Sequence, residues 1–180
     1  MKNYITGSTL RRLTISAMLL AVALLLPFAV GQIPQLGKAL LPMHLPVLLC
    51  GFICGGPWGL VVGFVTPLLR NVLFHHPEIY PTGIAMAFEL ATYGAVSGFL
   101  YRVLPKKTIY IYVSLLSAML AGRIVWGCVT YALTFAGDSP LGLAAFWGQA
   151  FVTAAPGIII QVILIPIIVM ALRRARMIAE

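Results

Sequence analysis

The sequence predicts an all-α integral membrane protein, a compact bundle of six transmembrane helices with both termini in the cytoplasm. Hydrophobic residues make up 61% of the 180-residue chain and charged residues only 9%, whereas soluble domains carry about 25% charged residues. A water-soluble fold of this size has too little interior to hide so much apolar surface. The apolar runs are long and do not alternate with polar residues as barrel strands do, so they predict helices.

Turn-forming and basic residues divide this single domain into six apolar runs. The predicted spans are 13–30, 42–54, 58–74, 82–101, 108–135 and 142–172. The first follows a basic start, as the apolar part of a signal peptide does, but its roughly 18 residues are span length and further spans follow. A tight turn at Gly55–Pro57 joins the second to the third, so this pair predicts an antiparallel hairpin. The fourth follows the turn-rich loop 75–81, and the fifth, long enough to tilt, follows the basic loop 102–107. Pro156 and Pro166 predict kinks in the sixth.

The basic residues predict the orientation and account for the net charge of +8. Six spans put both termini on one side of the membrane, and most basic residues then fall on that side. They are Lys2, Arg11, Arg12, Arg102, Lys106, Lys107, Arg173, Arg174 and Arg176. Because basic residues accumulate in cytoplasmic loops, both termini are predicted to lie inside. Clusters placed in this way do not indicate nucleic-acid binding.

Three charged residues, Arg70, Glu89 and Arg123, fall within predicted spans. At about 1.5 Å per helical residue, they lie about 6, 10 and 17 Å from the outer ends of their helices. Charges in such positions are costly in lipid and are functional candidates. Further candidate substrate-binding residues at or near the same outer level are His44, Asn71, Tyr93, Trp126, Trp147 and Gln149. The inner half has little polarity beyond Gln161 and a few Ser and Thr residues.

Two interpretations of these residues stay open. In one, they line a polar pocket that opens to the outside, is walled by aromatic side chains and suits a small, ring-bearing solute. In the other, Glu89 and Arg123 form an ion pair between two helices, while Arg70 extends to the interface. The structural interpretation explains each charge separately but does not explain why the charges gather at one end. The pocket is therefore favoured.

Other chemistry has little support in the sequence. The chain lacks the motifs of zinc peptidases, of serine hydrolases and of phosphate-binding loops, so we predict neither an enzyme nor a cofactor. Cys50 and Cys54 are four residues apart on a predicted helix. They are a possible soft-metal pair, but small, buried, reduced cysteines are the commoner case. No metal site is therefore predicted.

Small residues four positions apart allow helix backbones to approach closely in lipid. Internal packing is predicted for Gly55, Gly59 and Gly63, for Gly94 and Gly98, and for Ala118 and Gly122. Ala17 and Ala21 lie in the cytoplasmic half of the first span. For this pair two interpretations stay open: packing within the bundle, or docking of a partner membrane protein.

Two stretches of the chain resemble a known family, the substrate-binding S components of energy-coupling factor (ECF) transporters. They are PMHLPVLLCGFICGGPWGLVVGFVTPLL at 42–69 and AGRIVWG at 121–127. The similarity covers nearly the whole chain and is greatest to the pantothenate, pyridoxine and hydroxymethylpyrimidine group. The pattern of Ala17 and Ala21 is similar to the first-helix motif by which the family docks to its transmembrane T component.

The resemblance implies a high-affinity subunit of an importer in a prokaryotic plasma membrane, one that captures a water-soluble vitamin or precursor from outside. The implied partners are the vitamin, the T component, two cytoplasmic ATPases and membrane lipid; ATP hydrolysis is expected in the ATPases. The first outer loop, 31–41, is expected to help close the pocket. Pyridoxine or hydroxymethylpyrimidine is favoured over pantothenate because of the nearby aromatic residues. The alternatives are a small stand-alone secondary transporter, for which no convincing repeat is visible, and a structural membrane protein.

Overall fold

The computed structural model describes residues 2–29, 41–135 and 155–175, with side chains for 9–29, 41–134 and 155–175. These ranges hold helices and no strand, which confirms the all-α class. The helices are α1 (Lys2–Ala29), α2 (His44–Cys54), α3 (Gly56–Phe74), α4 (Ile84–Val103), α5 (Thr108–Phe135) and α6 (Ala155–Arg174). A short π-helical turn, Ile79–Gly83, leads into α4.

Five helical segments of the described chain are long and apolar enough to cross a membrane. They are Thr9–Ala29, Gly56–Phe74, Ile79–Val103, Thr108–Thr134 and Ala155–Arg174. The remaining helix, α2, is apolar but has only 11 residues. It corresponds to the short second span of the prediction.

Most described helix boundaries lie within two residues of the predicted spans, but the start of α1 does not. Helix α1 begins at Lys2 rather than at residue 13, because its basic start contains no proline and continues the same helix. The sixth span was predicted from residue 142, whereas α6 is described from Ala155 to Arg174. Residues 142–154 of that prediction lie outside the described residues.

Contacts between the helices show that successive helices run in opposite directions. The carbonyl of Arg12, in the first half of α1, accepts a hydrogen bond from Cys54 Sγ at the end of α2 (3.7 Å). Tyr80, just before α4, donates from its hydroxyl to the carbonyl of Leu133 near the end of α5 (2.6 Å). The helices therefore meet their neighbours in antiparallel fashion, as transmembrane hairpins do.

The last helix ends beside the loop between α4 and α5, since Arg173 lies close enough to Lys106 to act on its charge. Helices α2, α4 and α6 therefore begin at one end of the bundle, and α1, α3 and α5 end there. We call this the His44 end, and we call the opposite end the Arg102 end.

The turn between α2 and α3 consists of a single residue outside the helices, Gly55, with φ +98°. This left-handed backbone conformation favours glycine. Arg102 Nη2 donates a hydrogen bond to the carbonyl of Cys54 (2.9 Å), which satisfies a carbonyl at the end of α2. The predicted tight turn and helical hairpin are confirmed.

Glycines hold α3 against α4 at backbone contact. A Cβ atom added to Gly59 would lie 2.5 Å from the carbonyl oxygen of Gly94, and one added to Gly94 would lie 2.2 Å from that of Gly59. On α5, Gly122 faces the ring of Tyr93, which would be 2.0 Å from such a Cβ. The predicted internal packing of these glycines is confirmed, and it determines how closely the helices that carry the polar residues approach.

Candidate functional site

Glu89 on α4 lies at the centre of a buried polar cluster. Its side chain is 1% exposed, its Oε1 is 3.0 Å from Arg123 Nη1 on α5, and its Oε2 is 3.7 Å from His44 Nε2 at the start of α2. Three helices thus bring together three residues that the sequence marked as candidates. A carboxylate and a guanidinium at 3.0 Å form an ion pair, here between α4 and α5.

Tyr93 is the fourth member of this cluster. It follows Glu89 by one helical turn on α4, so the two side chains share a face. Its ring is 1% exposed and lies edge-on to the ring of His44, with 5.4 Å between the centroids. The ring fits because Gly122, next to Arg123, has no side chain. An aromatic wall therefore stands beside the carboxylate.

The ion pair leaves much of its hydrogen-bonding capacity unused. Although Glu89 Oε1 is 3.0 Å from Arg123 Nη1, no donor among the described residues meets it at hydrogen-bond angles. Arg123 Nε and Nη2, and both ring nitrogens of His44, also lack a hydrogen-bond partner there. Such groups cost free energy when they are buried without a partner. Within the described residues, the cluster therefore has donors and an acceptor that no protein group uses.

Two more buried side chains at this end have unpaired polar atoms in the described structure, Thr130 on α5 and Gln161 on α6. Gln161 is 1% exposed, and neither its Nε2 nor its Oε1 has a partner in the described residues. It lies near the start of α6, which packs against α2 and α5, the helices of His44 and Arg123. The sequence analysis placed Gln161 in the inner half. In the structure it lies in the first half of the described helix α6 (Ala155–Arg174), toward the His44 end.

A lone amide within the apolar run IIIQVILIPIIV (158–169) was the signal that would have identified Gln161 as a candidate. A comparison of the two ends strengthens it. Of the buried side chains left unpaired in the described ranges, only Ser114 lies in the half nearer the Arg102 end. The unsatisfied polar atoms are therefore concentrated at the His44 end.

The family model described as ECF transporter, substrate-specific component matches residues 11–169, most of the chain. The chain belongs to this family. Comparisons with curated proteins and with solved structures give no match. Members of the family are multi-pass transport subunits that work with a T component and with separate ATPases, which hydrolyse the ATP.

In this S component, Arg70 and Asn71 donate hydrogen bonds to backbone carbonyls of the described residues. Arg70 Nε donates to the carbonyl of His76 (3.1 Å), and its Nη1 donates to that of Leu24 on α1 (3.2 Å). Asn71 Nδ2 donates to the carbonyl of Pro77 (2.6 Å). Within the described residues, their hydrogen bonds go to these carbonyls. Both side chains hold the loop after α3 against the bundle at the His44 end.

The other predicted residues of the S component lie in several places. Trp126 is half-buried on α5, one turn from Arg123. Ala17 and Ala21 are exposed on α1. Trp147 and Gln149 lie outside the described residues, as do positions 31–40 of the predicted closing loop.

The cysteines of the S component have protein partners in the structure. Cys50 Sγ donates to Ser16 Oγ (3.5 Å), and Cys54 Sγ donates to a main-chain carbonyl of α1. Both thiols are free and buried. The described ranges contain no group of three or more His, Cys, Asp or Glu residues suited to a metal ion.

Proposed function

We propose that this S component is the high-affinity subunit that captures a water-soluble vitamin or vitamin precursor from outside the cell, with Glu89, Arg123, His44 and Tyr93 at the centre of its site. The observation that carries the proposal is the buried Glu89–Arg123 pair with its unused donors. Membership of the substrate-specific family supports a binding role.

The competing interpretation is a structural ion pair between α4 and α5. A buried pair stabilises a fold only when further hydrogen bonds satisfy its remaining donors and lone pairs. Here Arg123 Nε and Nη2 and Glu89 Oε1 have no such bonds in the described structure. Two apolar side chains would join the helices at a lower cost. The arrangement is better suited to groups that a ligand satisfies.

The charges also favour one class of vitamin. A carboxylate ligand such as pantothenate would pair with Arg123, but it would also approach Glu89, whose Oε1 is only 3.0 Å from the guanidinium. Like charges at this distance repel. A pyridine or pyrimidine with hydroxyl groups donates to Glu89, accepts from Arg123 and packs on the ring of Tyr93. Pyridoxine or hydroxymethylpyrimidine is therefore favoured, with pantothenate next.

The distribution of basic residues supports the orientation that uptake requires. Arg12, Arg102, Lys106 and Arg173 lie at the Arg102 end, so this end is proposed to face the cytoplasm. The His44 end and the polar cluster then face outward. Arg70 and Asn71 contribute to the mouth of this site by holding its loop. Trp126, Trp147 and Gln149 remain predicted ligand contacts.

The experiment that tests the proposal is native mass spectrometry of the detergent-purified protein, followed by titration with pyridoxine, hydroxymethylpyrimidine, pantothenate and riboflavin. One compound is expected to bind in the nanomolar range. Glu89→Gln is expected to weaken that binding at least about tenfold, because it removes a charge-assisted hydrogen bond. Glu78→Gln is the matched control, since Glu78 is exposed in the loop before α4.

Two outcomes would contradict the proposal. If none of the compounds binds, and both Glu89→Gln and Arg123→Leu unfold at much lower temperature, the pair is structural. If the cells take up the vitamin after the ATPase genes are deleted, the protein is a stand-alone transporter rather than a subunit.

A further inference from the structure

An open apolar groove, which we call the α3–α4 groove, runs along the surface between the first half of α3 and the second half of α4. Its volume is about 660 Å³, and its lining includes Pro57, Leu60, Val61, Ala95 and Phe99. Leu60, Val61 and Phe99 are 46%, 53% and 64% exposed, as expected for side chains that face lipid. The groove forms because the glycines draw the two backbones together while the longer side chains on either side stand apart. It lies in the half nearer the Arg102 end, away from the Glu89 cluster.

A cation stands at the Arg102 end of this groove. The Arg102 guanidinium lies across Gly55, the residue before the first groove residue, and a Cβ on Gly55 would be 2.0 Å from Nη2. This nitrogen donates to the carbonyl of Cys54 (2.9 Å). The side chain is exposed, and no other hydrogen bond joins it to the described residues. Within the described structure, its remaining N–H groups are therefore available to an anion at the groove mouth.

Among the residues that the structure describes, the surroundings of Arg102 are basic. Burial, together with the nearby charges of Arg173 and Arg102, lowers the pKa of Lys106. The two acidic residues in the described part of the chain, Glu78 and Glu89, both belong to the His44 end. Neither can neutralise this cluster.

We propose that the α3–α4 groove binds an anionic phospholipid, with an acyl chain along the groove and the phosphate on Arg102. The groove follows about six helical residues, or about 9 Å, which matches the part of an acyl chain just below its headgroup. Basic pockets between helices on the cytoplasmic side are typical sites for anionic lipids. A phosphate accepts several N–H bonds from one guanidinium. A zwitterionic headgroup also contains a phosphate, but its positive group cancels that charge, so its attraction to Arg102 is weaker. The inference does not depend on which vitamin the S component binds.

The test is native mass spectrometry of the delipidated full-length protein, titrated with phosphatidylglycerol or with phosphatidylcholine of the same acyl chains. The first phosphatidylglycerol is expected to bind about tenfold more tightly than the first phosphatidylcholine. Arg102→Gln is expected to reduce the affinity for phosphatidylglycerol about fivefold, the effect of one basic group at an anionic membrane surface. Lys107→Gln removes an exposed charge at the same end but outside the groove. This variant is expected to change the affinity for phosphatidylglycerol less than about twofold.

A second variant tests the groove with the cation intact, and so keeps the inference testable if Arg102→Gln folds poorly. Val61→Trp fills the groove from an exposed position and is expected to weaken both lipids about fivefold or more, because it excludes the acyl chain. Equal affinity for the two lipids would overturn the proposal. So would equal losses in Arg102→Gln and Lys107→Gln, which indicate a diffuse charge effect, or displacement of the lipid by inorganic phosphate. If Val61→Trp leaves lipid binding unchanged and instead prevents co-purification of the T component, the groove is a protein contact.

Discussion

Single buried polar groups make the sharpest predictions about this protein, and Gln161 is the clearest case. Each buried polar atom without a partner costs about 1–3 kcal/mol, and both amide atoms of Gln161 are unpaired in the described structure. Gln161→Leu is expected to raise the unfolding temperature of the ligand-free protein and to weaken vitamin binding at least about tenfold. Thermal unfolding in detergent, measured with and without the vitamin, checks both effects.

Ser114→Ala is the control for Gln161, since its hydroxyl is also buried and unpaired in the described residues but lies toward the Arg102 end. It is expected to stabilise the protein slightly and to leave binding unchanged. If Gln161→Leu stabilises the protein without weakening binding, Gln161 does not contact the ligand and the site is confined to the Glu89 cluster.

Arg70 leads to a different prediction, because its Nε and Nη1 already donate to backbone carbonyls. Arg70→Gln removes the bonds to the carbonyls of Leu24 and His76, and it removes a guanidinium 5.5 Å from the ring of Phe28. Two lost hydrogen bonds are expected to destabilise the protein by about 2 kcal/mol. Asn71→Ala, which frees the carbonyl of Pro77, is expected to cost about half as much. Chemical denaturation of the ligand-free protein measures both.

The contrary outcome for Arg70 is equally specific. If Arg70→Gln unfolds like the unmodified protein but no longer binds the vitamin, then the guanidinium contacts the ligand, as the sequence analysis predicted. Loss of stability with binding retained would show that Arg70 stabilises the loop after α3 and does not contact the ligand.

The sequence predicted the residues of the cluster better than it predicted their partners. Glu89 and Arg123 were found because a charge inside a span is exceptional, and His44 because it begins an apolar helix. Gln161 was missed as a candidate because an uncharged amide is a weaker signal than a charge. No sequence pattern shows whether Arg70 donates to backbone carbonyls or to a ligand. An arginine at the same depth in the same helix is expected in both cases.

At the scale of helices, the close contact of α3 with α4 depends on the absence of side chains at two positions. A Cβ atom at Gly94 would lie 2.2 Å from the carbonyl oxygen of Gly59 and 2.3 Å from its carbonyl carbon. Backbone atoms within two helices cannot move aside separately, so Gly94→Ala is expected to force the helices apart. The expected cost is about 3 kcal/mol, at the upper end for overpacking. Thermal unfolding and the yield of folded protein after purification measure it.

Gly83→Ala is the matched control for this contact. Gly83 has helical angles, φ −63° and ψ −40°, and its nearest contact would be a single loop oxygen, that of Glu78, at 2.9 Å. The loss of stability in Gly83→Ala is expected to be less than about 1 kcal/mol, because a loop carbonyl can shift and alanine favours the helix. Equal losses in both variants would show that the approach of α3 to α4 is not the limiting contact.

The same glycines show which parts of the helix arrangement could be predicted from the sequence. The four-residue spacing of Gly59 from Gly55 and Gly63, and of Gly94 from Gly98, predicted close internal packing. Gly55, in the Gly-Gly-Pro sequence, predicted the turn between α2 and α3. The start of α1 at Lys2 was not predicted, since a basic, polar segment continues a helix beyond the apolar part that hydropathy detects.

At the scale of the whole molecule, the two ends of the bundle carry opposite chemistry. The His44 end gathers the buried carboxylate and the unpaired polar atoms, and the Arg102 end gathers exposed cations. Members of the family work with a T component and ATPases, so this subunit also needs a surface on which its partners act. Helix α1 offers one: Ala17 and Ala21 are exposed on it, together with Met18, which is 60% exposed.

Substitution of these alanines separates docking from binding. A flat face of small residues lets a partner helix approach closely in lipid, so Ala17→Trp and Ala21→Trp are expected to reduce vitamin uptake in cells at least about tenfold. Binding by the purified subunit is expected to stay within about twofold, because both side chains point away from the bundle and the Glu89 cluster lies on other helices. Ala171→Trp is the control, since Ala171 is also exposed toward the Arg102 end but lies on α6.

Loss of binding in the α1 variants would place the alanines in the fold, and unchanged uptake would mean that the T component docks on another face. Loss of uptake with binding intact, confined to α1, is the one result that makes this helix the surface through which the partners act.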